Sequence, residues 1–527
     1  MSAVNQKDML PCCASDTIPA VVYAAIQRQL HTNPQNKESF FIGDESYIHN
    51  QLKRWQSCFN NVRPFYGELF FRTNLEAHRP YPLTEAKAVK SNDNPMILKI
   101  LAEHGVGFDC ASKSEIKRIL DLGVEPRQIL YAAPIKSEDH ILYARERGVI
   151  QTMFDSEDEL RKLAIHFPTA ELYLRLWADD PTSRVRLGEK FGVQLPQAKE
   201  LLALAKDVNM KVVGLCFHVG SNASDCDAYR RAIALSREVY DYNENFGEEK
   251  KHPIHTIDIG GGFSSGNFGT ATRVVNESIQ EYFGTEKQLR WAAEPGRFFS
   301  DEAFHLACRV IGTRPRNHSG DEISLETELP AGDIYINDGI YHNFLNAITE
   351  KVVSQPILLD SAGRPDESVS EDQSTYTVWG QTCDSFDKIS PNCALPRRAK
   401  VGDWLCFPAM GAYTHVTASD FNGFSACKRT IWISNSTDEP WHILSVPFRT
   451  LKALHSYILR AFNFPGAASR DAGGIHSSVN RELAVYKSST GLAGKFFAGI
   501  KSISHLSRGA PLTDRPGDNK GSGGLGT

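Results

Sequence analysis

From Ala88 to Arg297 short apolar runs alternate with helix-like stretches. The runs are AVKSN (88–92), VGFDCAS (106–112), ILYAAPIK (129–136), IQTMFDS (150–156), LYLRLWAD (172–179), VVGLCFHVGS (212–221), HTIDIGGGF (255–263) and LRWAAEPGR (289–297). Each is rich in β-branched or aromatic residues and continuous rather than alternating, the pattern of strands buried on both faces. Between them lie stretches such as SEIKRILDLG and SEDELRKLAIHF, which open on Ser114-Glu115 and Ser156-Glu157 as N-cap chemistry. Eight strands with seven intervening helices predict a parallel (β/α)8 barrel; an open doubly wound sheet is the alternative on pattern alone.

After Arg297 the pattern changes. Residues 304–435 hold ACRVIGTRPR, DIYINDGIY, STYTVWGQTC, DWLCFPAM and RTIWISN, separated by Gly, Pro and Asp turns, which predicts an antiparallel β domain. QPILLDSAGRPDESVSEDQST (355–375) reads as an exposed loop. Beyond 435, FRTLKALHSYILRAF sets Phe448, Leu451, Leu454, Ile458 and Phe462 on one helical stripe, and the Gly- and Pro-rich end reads as disordered. The expected organisation is a tail (1–34), a segment joining the β domain (35–60), the barrel (61–303), the β domain (304–435) and a C-terminal extension (436–527).

Composition narrows the classes. Charged residues are 23% of the chain, and 58 basic against 63 acidic residues leave −5. That balance offers no electrostatic reason to bind nucleic acid or an anionic membrane, and no apolar run reaches the ~20 residues of a membrane span. MSAVNQKDML lacks signal-peptide order. Eleven cysteines without a CxxC pair argue against a disulfide framework or a metal site, and read as reduced thiols in the cytoplasm.

In such barrels, polar residues at the C-terminal strand ends face the active site. Here they are Lys90, Asp109, Arg175, His218, Gly260-Gly261-Gly262, Glu294 and Arg297. Singly, each has an ordinary reading as a turn, a solvated charge or a satisfied core histidine. Together they are the parts of a pyridoxal phosphate site: a Schiff-base lysine, backbone N–H groups for a phosphate, a stacking imidazole and a carboxylate for a pyridine nitrogen.

Six motifs carry a resemblance: KAVKSNDNP…GVGFDCASKSEI, FHVGS, TIDIGGGF, AAEPGRFF, VWGQTCDSFD and GAYT…FNGF. In this order, over roughly residues 35–435, the chain resembles eukaryotic ornithine decarboxylase and its fold-type III relatives. The resemblance implies an alanine-racemase-like barrel with a β domain, and a head-to-tail homodimer with shared active sites acting on a small amino acid. It implies that Lys90 forms the Schiff base, Glu294 pairs with the pyridine nitrogen and His218 stacks on the ring. Ser221, Gly260 to Gly262, Gly296, Arg297 and Tyr413 would hold the phosphate, with Asp109 and Arg175 beside them. Cys383 from the second subunit would return the proton after decarboxylation. Asp384 would bind the substrate's distal ammonium, with Phe421 in the same pocket, and Lys190 and Asp387 would pair across the interface.

Two departures from the family pattern stand out. After DGIYHNF the family carries Tyr-Asp-His-Ala-His, whose Asp grips the distal ammonium; here Glu350 stands at that place, between Thr349 and Lys351. The added methylene puts ornithine itself in doubt, though not the chemistry. Second, the family's Pro-Phe-Tyr-Ala-Val-Lys is split by Gly67 to Lys87, inside the first strand. The codons possible at its two ends permit splice signals whose excision restores the frame, so a retained intron is the hypothesis. Three readings stay open: a basic amino-acid decarboxylase, a decarboxylase of a related intermediate in specialised metabolism, and an inactive regulatory homologue.

Overall fold

The computed structural model describes residues 10–11, 18–59, 87–88, 90–247, 251–316, 332–353, 355–365 and 374–434. The chain divides into two compact units, Met1–Trp441 and His442–Thr527. The second, with its apolar stripe, lies outside the described residues, as does nearly all of the 67–87 insertion.

Each of the eight apolar runs overlaps a strand, the first only at Ala88: Lys87–Ala88, Phe108–Cys110, Ile129–Tyr131, Gln151–Phe154, Glu171–Arg175, Lys211–Cys216, Thr256–Asp258 and Arg290–Ala292. They are parallel and hydrogen-bonded in chain order, with seven helices between them from Pro95–Glu103 to Phe268–Phe283. A doubly wound sheet would reverse strand order at a switch point. The unbroken order is that of a (β/α)8 barrel. Among the described residues no pairing is seen between the last strand and the first, which keeps only two residues.

The strands are continuous runs because both faces are covered. Leu130, Met153, Tyr173, Val213 and Cys216 pack together on one face, while Ile129, Tyr131, Phe154, Leu172 and Leu174 pack with the helices on the other. Ser156 caps its helix, accepting from Glu159 N at 3.4 Å. The earlier helix, Lys113–Asp121, is capped by Ser112 rather than Ser114: Ser112 Oγ accepts from Glu115 N at 3.3 Å, and Ser114 lies within the first turn.

The second sheet runs in the spatial order Ile357–Leu359, Trp404–Phe407, Phe304–Pro315, Gly332–Ile336, Ser374–Trp379, Lys388–Leu395. Its pairings are antiparallel except two, Gly332–Ile336 with Ser374–Trp379 and Thr430–Ile433 with Phe40–Asp44. Phe40–Asp44 pairs with Phe304–Pro315, so a segment preceding the barrel is woven into this sheet. The structure differs from expectation at two places. The expected N-terminal tail carries a helix, Ala20–Thr32, whose Val22 and Ile26 pack with Phe40 and Trp404. The expected loop from 355 contains Ile357–Leu359, with Leu358 and Leu359 buried.

Candidate active site

The register Ala88↔Asp109 sets Lys90 just past the end of the first strand, beside the second. Lys90 Nζ donates to Asp109 Oδ2 at 2.7 Å and lies 3.8 Å from Glu294 Oε2. Burial works against the Lys90 ammonium, but Asp109 and then Glu294 outweigh it and raise its proton affinity. Glu294 follows the last strand, fully enclosed. Burial, Asp109 and Asp258 push its carboxyl well above the usual range, and its Oε1 receives no hydrogen bond.

Asp258 ends its strand and accepts from Gly260 N at 2.9 Å, which starts the glycine turn. Gly262 has φ +109°, a conformation L side chains rarely adopt. At Gly261 a Cβ would stand 2.6 Å from His218 Nε2 and 2.8 Å from Glu294 O, so the turn lies flat against both. His218 Nδ1 accepts from Gly220 N at 3.0 Å. Burial, then Arg175 and Lys90, hold the imidazole well below its ordinary pKa, so it is neutral. Arg175 is buried, its Nη1 3.9 Å from Met153 Sδ.

Arg297 sits in the short helix Gly296–Ser300, against a second group of predicted residues. Its Nε and Nη2 reach Ser221 Oγ at 3.4 Å, Nη1 reaches Asp301 Oδ2 at 3.3 Å, and its guanidinium lies 5.2 Å from the Tyr413 ring centroid. Tyr413 has φ +56°, and its N–H donates to Ser91 O, next to Lys90. Glu350 is placed differently from its expected position at the substrate's far end. Both of its oxygens accept from Arg297 Nη2, at 2.7 and 2.6 Å, and Arg184 Nη1 lies 4.0 Å away. Burial raises the Glu350 carboxyl, and Arg297 partly offsets this.

Cys383, Asp384 and Phe421 form a separate group on the β domain, each held by neighbours in that domain. Cys383 is exposed, and its N–H donates to Asn422 Oδ1 at 3.3 Å. Asp384 accepts from Phe386 N at 3.0 Å and from the Tyr341 hydroxyl, and these hold its carboxyl below the usual range. Tyr341 stacks near Phe421, centroids 4.3 Å apart. Asp387 is buried and accepts from Ile340 N, Thr382 N and Thr382 Oγ1, while Lys190 is exposed with its ammonium over Phe191. Two residues of the site escape sequence reasoning. Asp258 is legible as a strand-end carboxylate in TIDIGGG; Arg184 carries no local signal.

The residues present fit pyridoxal phosphate. An amine points at two carboxylates, a buried carboxylate oxygen has no donor, a glycine turn has no room for a Cβ, and a buried guanidinium stands beside it.

Comparison with known proteins agrees. Residues 45–301 match the family model described as "Pyridoxal-dependent decarboxylase, pyridoxal binding domain". The chain is 38% identical over 400 residues to Decarboxylase flvG of Aspergillus flavus, covering 76% of this chain and 86% of that one. It is 36% identical over 412 residues to Ornithine decarboxylase of Neurospora crassa, covering 74% and 80% respectively. The solved arginine decarboxylase of Paramecium bursaria Chlorella virus superposes with a TM-score of 0.68 at 33% identity, covering 78% of this chain and 100% of that one.

Gly261→Ala tests the cradle. The added methyl meets His218 and the Glu294 carbonyl, so affinity for pyridoxal phosphate should fall by at least about tenfold, read from cofactor absorbance on titration. Unchanged affinity in a folded variant would remove the turn from the site.

Proposed function

The chain belongs to the ornithine decarboxylase family of pyridoxal-dependent decarboxylases, and from that premise we propose that it converts L-ornithine to putrescine and CO2. Bound pyridoxal phosphate supplies the electron sink that lets an α-carboxylate leave as CO2. The observation that carries the reading is the Lys90–Asp109–Glu294 group, whose two carboxylates are buried, with its unused Glu294 oxygen. Lys90 would hold the cofactor, with Asp109 orienting its amine. Glu294 would pair with the ring nitrogen, and neutral His218 would pack against the ring, with Arg175 nearby. Arg297, Ser221, Gly260 to Gly262, Gly296 and Tyr413 hold the phosphate.

The proton donor and distal anchor come from a second copy in this reading. Cys383 returns a proton to the α-carbon; a thiol, with an ordinary pKa of ~8.5, suits that task near neutral pH. Ionised Asp384 binds the distal ammonium, with Phe421 beside it. The surface around them supports a covering partner: Phe386 is 65% exposed, Phe421 41% and Phe424 38%. A homodimer therefore completes each site. We assign residues 61–303 to the barrel and 304–435, with 35–60, to the β domain. No described helix is long and apolar enough to cross a membrane. Nine described cysteines are free, which fits a reducing compartment such as the cytoplasm.

A second reading keeps the decarboxylase and changes the substrate to a related amino-acid-derived intermediate of specialised metabolism. The engagement of Glu350 by Arg297 favours it, because that carboxylate is not free for an ammonium. Purified enzyme offered ornithine, lysine and arginine with cofactor, with CO2 and amine measured, separates the readings. Turnover of ornithine is expected, and its absence with intact cofactor binding selects the second.

Lys90→Ala and Cys383→Ala, each inactive, should complement on mixing. A mixed dimer holds one intact site, so random exchange restores up to about a quarter of the activity per total site. Verified exchange without recovery places both residues in one chain's site.

Glu350→Gln keeps an acceptor for Arg297 and removes one negative charge near the phosphate. Cofactor affinity should rise several-fold, as for about 1 kcal/mol of relieved repulsion. If cofactor affinity stays the same while KM for the substrate rises roughly 30-fold or more, Glu350 returns to the substrate end.

A further inference from the structure

Asp258 is fully buried at the end of its strand, where its Oδ1 accepts the turn-forming hydrogen bond from Gly260 N. Around it the barrel encloses three carboxylates, Asp109, Asp258 and Glu294, and two cations, Lys90 and Arg175. Cys216 and His218 also face the group; both are neutral, since burial raises the thiol pKa and lowers that of the imidazole. Tyr413, which borders Lys90, is likewise kept un-ionised by burial. Asp155 also faces Arg175, Glu115 faces Asp109 and Lys90, and Tyr173 faces Asp258, so among these groups carboxylates outnumber cations.

Two oxygens show where that excess is resolved. Asp258 Oδ2 and Glu294 Oε1 receive no donated hydrogen bond, and the register Ala292↔Asp258, with Glu294 N donating to Gly260 O at 2.7 Å, brings the two residues together at adjacent strand ends. Two bare carboxylates in contact repel. One proton between them makes the contact a hydrogen bond and removes one of the group's negative charges.

We propose that Asp258 is a positioning residue that shares one proton with Glu294, and that this proton leaves the pair when the cofactor's ring nitrogen takes its place against Glu294. The inference rests on the reading that Glu294 faces that nitrogen. If the ring arrives protonated, the pair's proton goes to solvent. If it arrives neutral, the proton moves from Glu294 to the nitrogen. In both cases the pair ends with one proton fewer and the ring nitrogen carries N–H+. Burial, the first cause, pushes Asp258 up to about 6 and Glu294 well above its usual range, in the direction the pair requires.

Asp258→Asn separates this from a structural role. Asparagine keeps an acceptor for Gly260 N and can donate to Glu294, while removing one charge. The variant then needs no shared proton between these two positions. Pyridoxal phosphate titrated calorimetrically into both apoproteins at about pH 6, in two buffers of different ionisation enthalpy, counts the protons exchanged. Wild type should release about one proton more per site than the variant. The apoproteins carry a second signature. A carboxyl raised in the folded state stabilises below its unfolded pKa of ~3.9 and loses that contribution as pH rises through about 6. The Tm of wild type relative to Asp258→Asn should therefore fall between about pH 4 and pH 6. Equal proton counts in two proteins that both bind, or a constant Tm difference, would overturn the proposal. Failure of wild type to bind the cofactor would instead sink the functional reading. If Asp258→Asn does not fold, Asp258→Ser carries the same expectation.

Discussion

The contact between Lys90 Nζ and Asp109 Oδ2 at 2.7 Å, backed by Glu294, is the constraint on which the site is built. An ammonium and several carboxylates are expensive to withdraw from water unless each is compensated. The barrel achieves this by ending adjacent parallel strands at one level, which brings residues far apart in sequence onto one mouth. The glycine turn after Asp258 follows from the same crowding. His218 and the Glu294 carbonyl occupy the space where a Cβ would stand at Gly261, so a side chain there would displace the groups that surround the charge cluster.

How much of this is legible in the sequence follows from how local each cause is. Strands covered on both faces write continuous apolar runs, and each of the eight runs overlaps a strand. Lys90, His218, the glycines and Glu294 stand out because strand ends in this architecture point to one place. The pattern misleads where the cause is distant. The helix Ala20–Thr32 is apolar at eight of its thirteen positions, yet nothing local says what it covers, and only its packing on Phe40 and Trp404 explains it. Ser112 and Ser114 are both plausible caps, and the backbone selects the first. Asp258 reads as part of a turn because its meaning comes from Glu294, thirty-six residues later.

The β domain contributes a differently built half. Asp387 takes three hydrogen bonds from Thr382 and Ile340 and so fixes the turn that carries Cys383 and Asp384. That turn is presented outward among exposed aromatic rings, rather than folded onto its own barrel. Rigid presentation matters because a proton donor must reach one carbon at one angle. A turn held by a buried carboxylate can be placed by docking alone. On the proposed reading, one copy binds the cofactor through its barrel with Tyr413 added from the β domain, and only association makes it a catalyst.

Glu350 ties these halves to the question of substrate. A carboxylate with both oxygens on Arg297 has its charge largely compensated within the cofactor end of the site. The family's shorter Asp would start one methylene further from that guanidinium, with less reach to it. Lengthening the side chain therefore does more than move a negative charge outward. It gives the carboxylate a competing cation, and Arg184 at 4.0 Å adds a second. On the proposed reading, an incoming ammonium is then recognised chiefly by Asp384, whose position is set by its turn and by Tyr341 rather than by the barrel. The selection of chain length thereby passes from a pair of carboxylates to a single one, and a pocket gripping one end less firmly tolerates substrates of other lengths or shapes. This is the physical sense in which one substitution can leave the decarboxylation intact while changing what is decarboxylated.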